Sequence, residues 1–134
     1  MSSKILIIDD DEMLCEELAE ILTGNGYDVT TAFDGQEGLD AIQRAPYDLV
    51  LLDIKMPHMN GLEALKEIKK SKTAPKVIIL SANHSVNVFL GETVDIPHDY
   101  PQQILELADG VMNKPYDVET LLARIRGLLS VPRS

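Results

Sequence analysis

Short runs of aliphatic or β-branched residues recur along the chain, separated by longer stretches of mixed polarity. They predict strands over five segments: Lys4–Asp9, Asp28–Ala32, Asp48–Leu52, Val77–Leu80 and Val111–Asn113. In most of these runs apolar residues fill consecutive positions, which is typical of strands buried on both faces of a parallel sheet.

The stretches between the strands carry apolar residues at helical spacing. They predict helices over Met13–Leu22, from Asp34 to about Ala45, from Asn60 onward, and from Asp117 to Leu129. Aspartate or asparagine opens the last three of these helices, as expected of N-cap residues. Strands that alternate with helices run parallel, with right-handed crossovers, so the pattern predicts an α/β fold with helices on both faces of one sheet.

The length of 134 residues fits a single domain, which we place at 1–130, with 131–134 as a tail or the start of a linker. The chain has neither a signal-peptide layout nor the roughly 20 apolar residues of a membrane span, which predicts a cytoplasmic protein with no membrane contact. The formal net charge of −10 argues against direct nucleic-acid binding. Cys15 is the single cysteine, so an internal disulfide is excluded.

Polar residues stand where four of the predicted strands end. The first strand ends in Asp9 and Asp10, followed by Asp11 and Glu12, and the others lead to Asp53, Ser81 and Lys114. Ligands of open parallel sheets bind beyond the carboxyl ends of the strands. Any one of these residues alone is explained by a cap or a turn, but three consecutive aspartates exceed what a cap needs. Their joint placement predicts a functional site at this edge.

These residue types suit phosphoryl transfer to a carboxylate. A carboxylate attacks an anionic phosphoryl group poorly, so a metal ion and a cation must neutralise the developing charge. Mg²⁺ takes oxygen ligands, and Asp10 and Asp53 would supply two of them while Asp9 positions a metal-bound water. Lys114 would hold one phosphoryl oxygen as a point charge, and Ser81 would donate a hydrogen bond to another.

Four stretches of the chain resemble the receiver family of bacterial response regulators, and with the helices between them the resemblance covers essentially the whole chain. They are ILIIDDDE at Ile5–Glu12, DLVLLDIKMPHMNGLE at Asp48–Glu63, VIILSAN at Val77–Asn83 and NKPYD at Asn113–Asp117. The combination of the acidic pair, the D-x-x-M-P-x-M-N-G stretch and the Lys-Pro pair is highly specific.

The resemblance implies a role for each site residue and a flavodoxin-like, doubly wound, five-stranded parallel sheet of order 2-1-3-4-5. By this resemblance Asp53 is the phospho-acceptor, and Asp9 and Asp10 bind Mg²⁺. Lys55 contributes a metal-ligating backbone carbonyl, and Ser81 contributes the switch hydroxyl. Lys114 is the active-site lysine, and its bond to Pro115 is cis. The implied function is that of a signalling phospho-acceptor rather than an enzyme, with self-phosphotransfer and autodephosphorylation as its own activities. A sensor histidine kinase or phosphotransfer protein would donate the phosphoryl group. A downstream effector protein or domain would read the surface near the fourth predicted helix.

Two departures from the family pattern concern the output side. Val111 occupies the position where the family usually has an aromatic switch residue. The chain between Ser81 and Lys114 is about ten residues longer than usual. We place the extra length in Asn83–Tyr100 and a short fourth helix at about Pro101–Ala108, where Pro101 suits a first helical position. One hypothesis is that this insertion remodels the output surface or makes a homodimer contact, and the other is a plain surface loop.

Two other functions compete with the phosphorylated switch. A degenerate receiver would act only as a docking module, independently of phosphorylation. A Mg²⁺-dependent phosphatase with an aspartyl-phosphate intermediate usually has a second acid two residues after its nucleophile, and Lys55 occupies that position. The sequence leaves open whether the domain acts alone or belongs to a longer regulator or hybrid kinase.

Overall fold

The computed structural model describes residues 3–53, 61–70, 74–81, 107–113 and 117–130, with the backbone alone at 61, 62, 81, 111 and 113. Within these ranges five strands form one parallel sheet in the order β2-β1-β3-β4-β5. The strands are β1 at Lys4–Ile8, β2 at Asp28–Ala32, β3 at Leu49–Asp53, β4 at Lys76–Ser81 and β5 at Gly110–Asn113. The predicted α/β class with a parallel sheet is confirmed.

Helices follow the first three strands and β5. They are α1 at Glu12–Gly24, α2 at Gly35–Arg44, α3 at Gly61–Lys69 and a C-terminal helix at Val118–Leu129. Aspartates 11, 34 and 117 cap three of them, each accepting a hydrogen bond from a backbone N–H three residues later. Helix α1 ends at the predicted glycine pair, where Gly26 has a positive φ of 91°.

Alternate residues of the strands pack into two separate core layers. Helices α2 and α3 cover one face of the sheet, against residues such as Leu6, Ile8 and Leu52. Helix α1 and the C-terminal helix cover the other face, against Ile5 and Ile7 among others. Because both faces are covered, strands β1 and β3 are apolar at almost every position, as their sequences indicated.

Helix α2 packs especially closely on β1, through a glycine. A Cβ atom added at Gly38 would lie 2.7 Å from Cγ1 of Ile8, a residue that is fully buried. Only a residue without a side chain therefore fits at this point of the helix without displacing Ile8. This close approach lies at Ile8, the last residue of β1, directly before Asp9.

The connection from β4 to β5 is described only at its end. Leu107 and Ala108 lie in a turn and a bend that lead into β5, so the predicted helix does not extend to Ala108. The rest of that helix, the insertion at 83–100 and the Lys114–Pro115 bond lie outside the described residues and stay predictions. Across the described parts of the chain, no helix is both long and apolar enough to cross a membrane.

Candidate functional site

The site lies where β1 and β3 end side by side in the sheet. Ile8 pairs with Leu52 in the parallel register, so Asp9 and Asp53 come next on the two neighbouring strands. Carboxylate oxygens of Asp9, Asp10 and Asp53 lie within 4.8 Å of one another. Three of the predicted site residues therefore converge on one point at the carboxyl edge of the sheet.

The three carboxylates differ in their exposure to solvent. Asp9 is fully buried and Asp53 is 4% exposed, whereas Asp10 is exposed. Ionised carboxylates at this separation repel one another, and burial weakens the screening by water. A divalent cation relieves both costs, and a cluster of hard oxygen donors is the ligand set that Mg²⁺ prefers. The donor chemistry of the cluster thus fits Mg²⁺, the ion predicted from the sequence.

Asp9 is held in place from three sides. Its backbone N–H donates to the carbonyl of Ala32 in β2 over 3.0 Å. Its Oδ1 accepts a hydrogen bond of 3.0 Å from the backbone N–H of Asp11. Its carbonyl oxygen lies 3.3 Å from Sγ of Cys15, which donates to it from the end of the first turn of α1. The position of the buried carboxylate is therefore set by the strand, by the connection and by the helix.

Asp11, the third consecutive aspartate, has a different structural role. The side chain of Asp11 accepts a hydrogen bond of 3.1 Å from the N–H of Leu14 and caps α1. Its backbone N–H is turned toward Asp9, as described above. Asp11 thus starts the helix and positions Asp9, while Asp9 and Asp10 contribute the carboxylates of the cluster.

The remaining predicted site residues are placed only in part. Ser81 is the last residue of β4, and its register partner in β5 is Asn113, so its backbone lies at the same edge as the acid cluster. Asp53 pairs with Leu80, one residue before Ser81. Lys55 and Lys114 lie outside the described residues. Their roles, and that of the Ser81 hydroxyl, stay predictions.

Sequence reasoning missed the contribution of Cys15. The sequence shows only an apolar residue at a helical position that faces the core, and Cys15 is indeed fully buried there. Its contact with the carbonyl of Asp9 depends on how α1 turns back along β1. That geometry is not encoded in the local pattern.

A parallel sheet of order β2-β1-β3-β4-β5, with helices on both faces, is the arrangement of the flavodoxin-like class of α/β proteins. Within that class, residues 5–126 match the family model of the response regulator receiver domain. The chain therefore belongs to the family of response regulator receiver domains of two-component systems. The predicted family is confirmed.

Individual relatives agree with this assignment. The response regulator ArlR of Staphylococcus aureus is 37% identical over 127 residues, which cover 95% of this chain and 52% of the relative. The chain thus spans about half the length of the curated relatives that it matches. The Francisella response regulator 1452 receiver domain is 30% identical with a TM-score of 0.77, covering 96% of this chain and 98% of that one.

A second solved structure is a complex with a ligand. It is the response regulator protein TrrA from Thermotoga maritima in complex with Mg²⁺–BeF. The identity to TrrA is 32% with a TM-score of 0.76, over 94% of this chain and 98% of that chain.

Proposed function

We propose that this domain is a phosphorylated switch whose acceptor is Asp53. The observation that carries the proposal is the convergence of Asp9, Asp10 and Asp53, whose carboxylate oxygens lie within 4.8 Å of one another. Asp53 ends β3, the central strand of the sheet, and is 4% exposed. A phosphoryl group attached there would place new charge beside two further carboxylates, at an edge where four crossover connections begin. A change at this point can therefore alter the surrounding connections.

Mg²⁺ is the cofactor that we propose for this cluster. Asp10 and Asp53 would bind it, Asp9 would hold a metal-bound water, and the backbone carbonyl of Lys55 would complete the protein ligands. The Mg²⁺–BeF complex of TrrA supports the assignment by similarity. When bound, Mg²⁺ would neutralise the negative charge that accumulates on the transferred group.

The chain's own residues would carry out the transfer. A carboxylate oxygen of Asp53 forms the new P–O bond while the P–N bond of a donor phosphohistidine breaks, and the electron pair leaves with the imidazole nitrogen. Lys114 would bind one phosphoryl oxygen as a point charge. The hydroxyl of Ser81 would donate to another. Attack of water on the phosphorus of the acyl phosphate would later release inorganic phosphate and return Asp53 to its unphosphorylated carboxylate.

Partners follow from the same proposal. A sensor histidine kinase or a phosphotransfer protein would be the donor, and an effector protein or domain would respond. We propose that the surface near the fourth predicted helix is the output surface, and that a homodimer contact through it is one of its uses. A single cysteine, Cys15, buried and outside any disulfide, fits the reducing, cytoplasmic setting that we propose.

The experiment is intact-protein mass spectrometry after incubation with acetyl phosphate, with and without Mg²⁺. Wild type should gain one phosphoryl group only when Mg²⁺ is present, and Asp53→Asn should gain none. Asp28→Asn is the matched control, because Asp28 is exposed and lies at the opposite end of the sheet, at the start of β2. It should behave like wild type.

A failure of wild type to gain mass would contradict the switch, provided that circular dichroism shows the protein folded. That outcome would favour the docking-module alternative. A mass gain that persists in Asp53→Asn would instead contradict the choice of acceptor.

A further inference from the structure

The bond between Cys15 and Asp9 acts on the peptide that joins two residues of the acid cluster. The carbonyl of Asp9, 3.3 Å from Sγ of Cys15, belongs to the peptide plane between Asp9 and Asp10. Orienting that plane sets ψ of Asp9 and φ of Asp10 together. It therefore influences the direction of both side chains, whose oxygens approach Asp53.

The donor of this bond is itself rigidly placed. The backbone N–H of Cys15 donates over 3.0 Å to the carbonyl of Asp11, the N-cap of α1. Its side chain is fully buried in the core layer that also contains Ile7 and Leu18. The thiol cannot follow a displaced Asp9 carbonyl without disturbing this packing, so it acts as a fixed point for the connection after β1.

We propose that Cys15 is a positioning residue for the acid cluster, because its thiol holds the Asp9–Asp10 peptide in the orientation that brings both carboxylates toward Asp53. The proposal rests on the proposed function, in which the cluster binds Mg²⁺. Groups that orient metal ligands affect metal affinity although they do not touch the metal. By this proposal the site includes a residue on the buried face of α1.

A purely packing role for Cys15 predicts a different outcome. In that case the loss of Mg²⁺ affinity in each variant would follow its loss of stability. Cys15→Ser keeps a hydrogen-bond donor but is poorly suited to an apolar core, whereas Cys15→Val is apolar but has no donor. Cys15→Ala lacks the donor and is also smaller. Affinity and stability should therefore rank these variants differently.

The test measures Mg²⁺ affinity by isothermal titration calorimetry on the full chain in reducing buffer, and stability by urea unfolding of the same samples. We expect Cys15→Val and Cys15→Ala to bind Mg²⁺ roughly two- to fivefold more weakly, the range of a lost S–H···O bond. Cys15→Ser should stay within about twofold of wild type, even where it is the least stable variant. The matched control is Leu22→Val, since Leu22 is fully buried in the same helix at the end remote from Asp9. It should lower stability and leave Mg²⁺ affinity unchanged.

Wild-type affinity in Cys15→Val, or equal weakening in Cys15→Ser and Cys15→Val, would overturn the positioning role alone. So would a fall in affinity for Leu22→Val that matches its loss of stability. Absence of Mg²⁺ binding in wild type would instead overturn the metal assignment together with this inference. The two failures are thus distinguishable.

Discussion

Two helical glycines offer a direct test of how closely α2 packs against the end of β1. At Gly38, in α2, an added Cβ would lie 2.7 Å from Cγ1 and 3.2 Å from Cγ2 of Ile8. At Gly127, in the C-terminal helix, an added Cβ would meet nothing within 4 Å. The same change, glycine to alanine, is therefore made once against a packed core and once in open space.

The magnitude follows from two opposing effects. Alanine in place of glycine stabilises a helix interior by up to about 1 kcal/mol at either position. At Gly38 this gain is opposed by overlap, because carbon atoms pack best at about 3.5–4.0 Å. Ile8 is β-branched, fully buried and paired on both sides within the sheet, so it moves at a cost. Overpacking of this kind costs about 1–3 kcal/mol.

We expect Gly127→Ala to raise the free energy of unfolding by about 0.5–1 kcal/mol. Gly38→Ala should lower it by about 1 kcal/mol, the net of both effects. The difference between the two variants removes the shared helix-propensity gain and so measures the overlap with Ile8. Equilibrium unfolding in urea gives both values, provided that the slope against denaturant stays that of wild type.

A double variant localises the effect. Ile8→Val removes Cδ1, the Ile8 atom that an added Cβ would approach most closely. The double variant Gly38→Ala, Ile8→Val should therefore be more stable than the sum of the single changes predicts, by at least about 0.5 kcal/mol. If Gly38→Ala is as stable as wild type, the close contact between α2 and β1 is not what restricts this position. Simple additivity of the two changes would show instead that Cδ1 contributes nothing to the overlap, since valine keeps both γ carbons.

Three further predictions concern other parts of the chain. Asp109→Ala should lower the free energy of unfolding by about 1–2 kcal/mol, because its Oδ2 accepts bonds of 2.8 Å from both Nζ of Lys69 and a backbone N–H of β4. Lys70→Ala removes only an exposed i,i+3 pair and should cost less than about 0.5 kcal/mol, so equal losses in urea unfolding would refute this ranking. Asp117→Ala removes the N-cap of the C-terminal helix and should cost about 1 kcal/mol by the same measurement, and an unchanged midpoint would show that the cap contributes nothing. Mg²⁺ at ten times its dissociation constant should raise the free energy of unfolding of wild type by about 1.4 kcal/mol, measured by thermal unfolding. At the same Mg²⁺ concentration Asp10→Asn should show little of this stabilisation. The full stabilisation in Asp10→Asn would remove Asp10 from the ligand set.

The fold was largely accessible from the sequence, because each element carries its own local signal. Consecutive apolar residues in β1 and β3 indicated burial on both faces, and the two core layers supply that burial. Aspartates 11, 34 and 117 act as caps through the residue type and spacing that the sequence displays. Element ends were harder to predict, as the turn and bend at Leu107 and Ala108 illustrate. Pro101 indicates where a helix can start, but nothing in the pattern indicates where that helix ends.

The site was predictable to the extent that strand ends determine it. Asp9 and Asp53 converge because β1 and β3 are neighbours and both are followed, or ended, by an aspartate. The sequence did not indicate which of the three consecutive aspartates caps α1 and which two belong to the acid cluster, because these roles depend on where the backbone leaves the strand and turns into α1. Asp11 takes the cap and turns its N–H back to Asp9, which leaves two carboxylates for the cluster. The contact of Cys15 with the Asp9 carbonyl results from the same turn. The acidic site is thus built on the β1–α1 connection as much as on the strand ends, and substitutions in the buried face of α1 should change Mg²⁺ affinity only where they touch that connection.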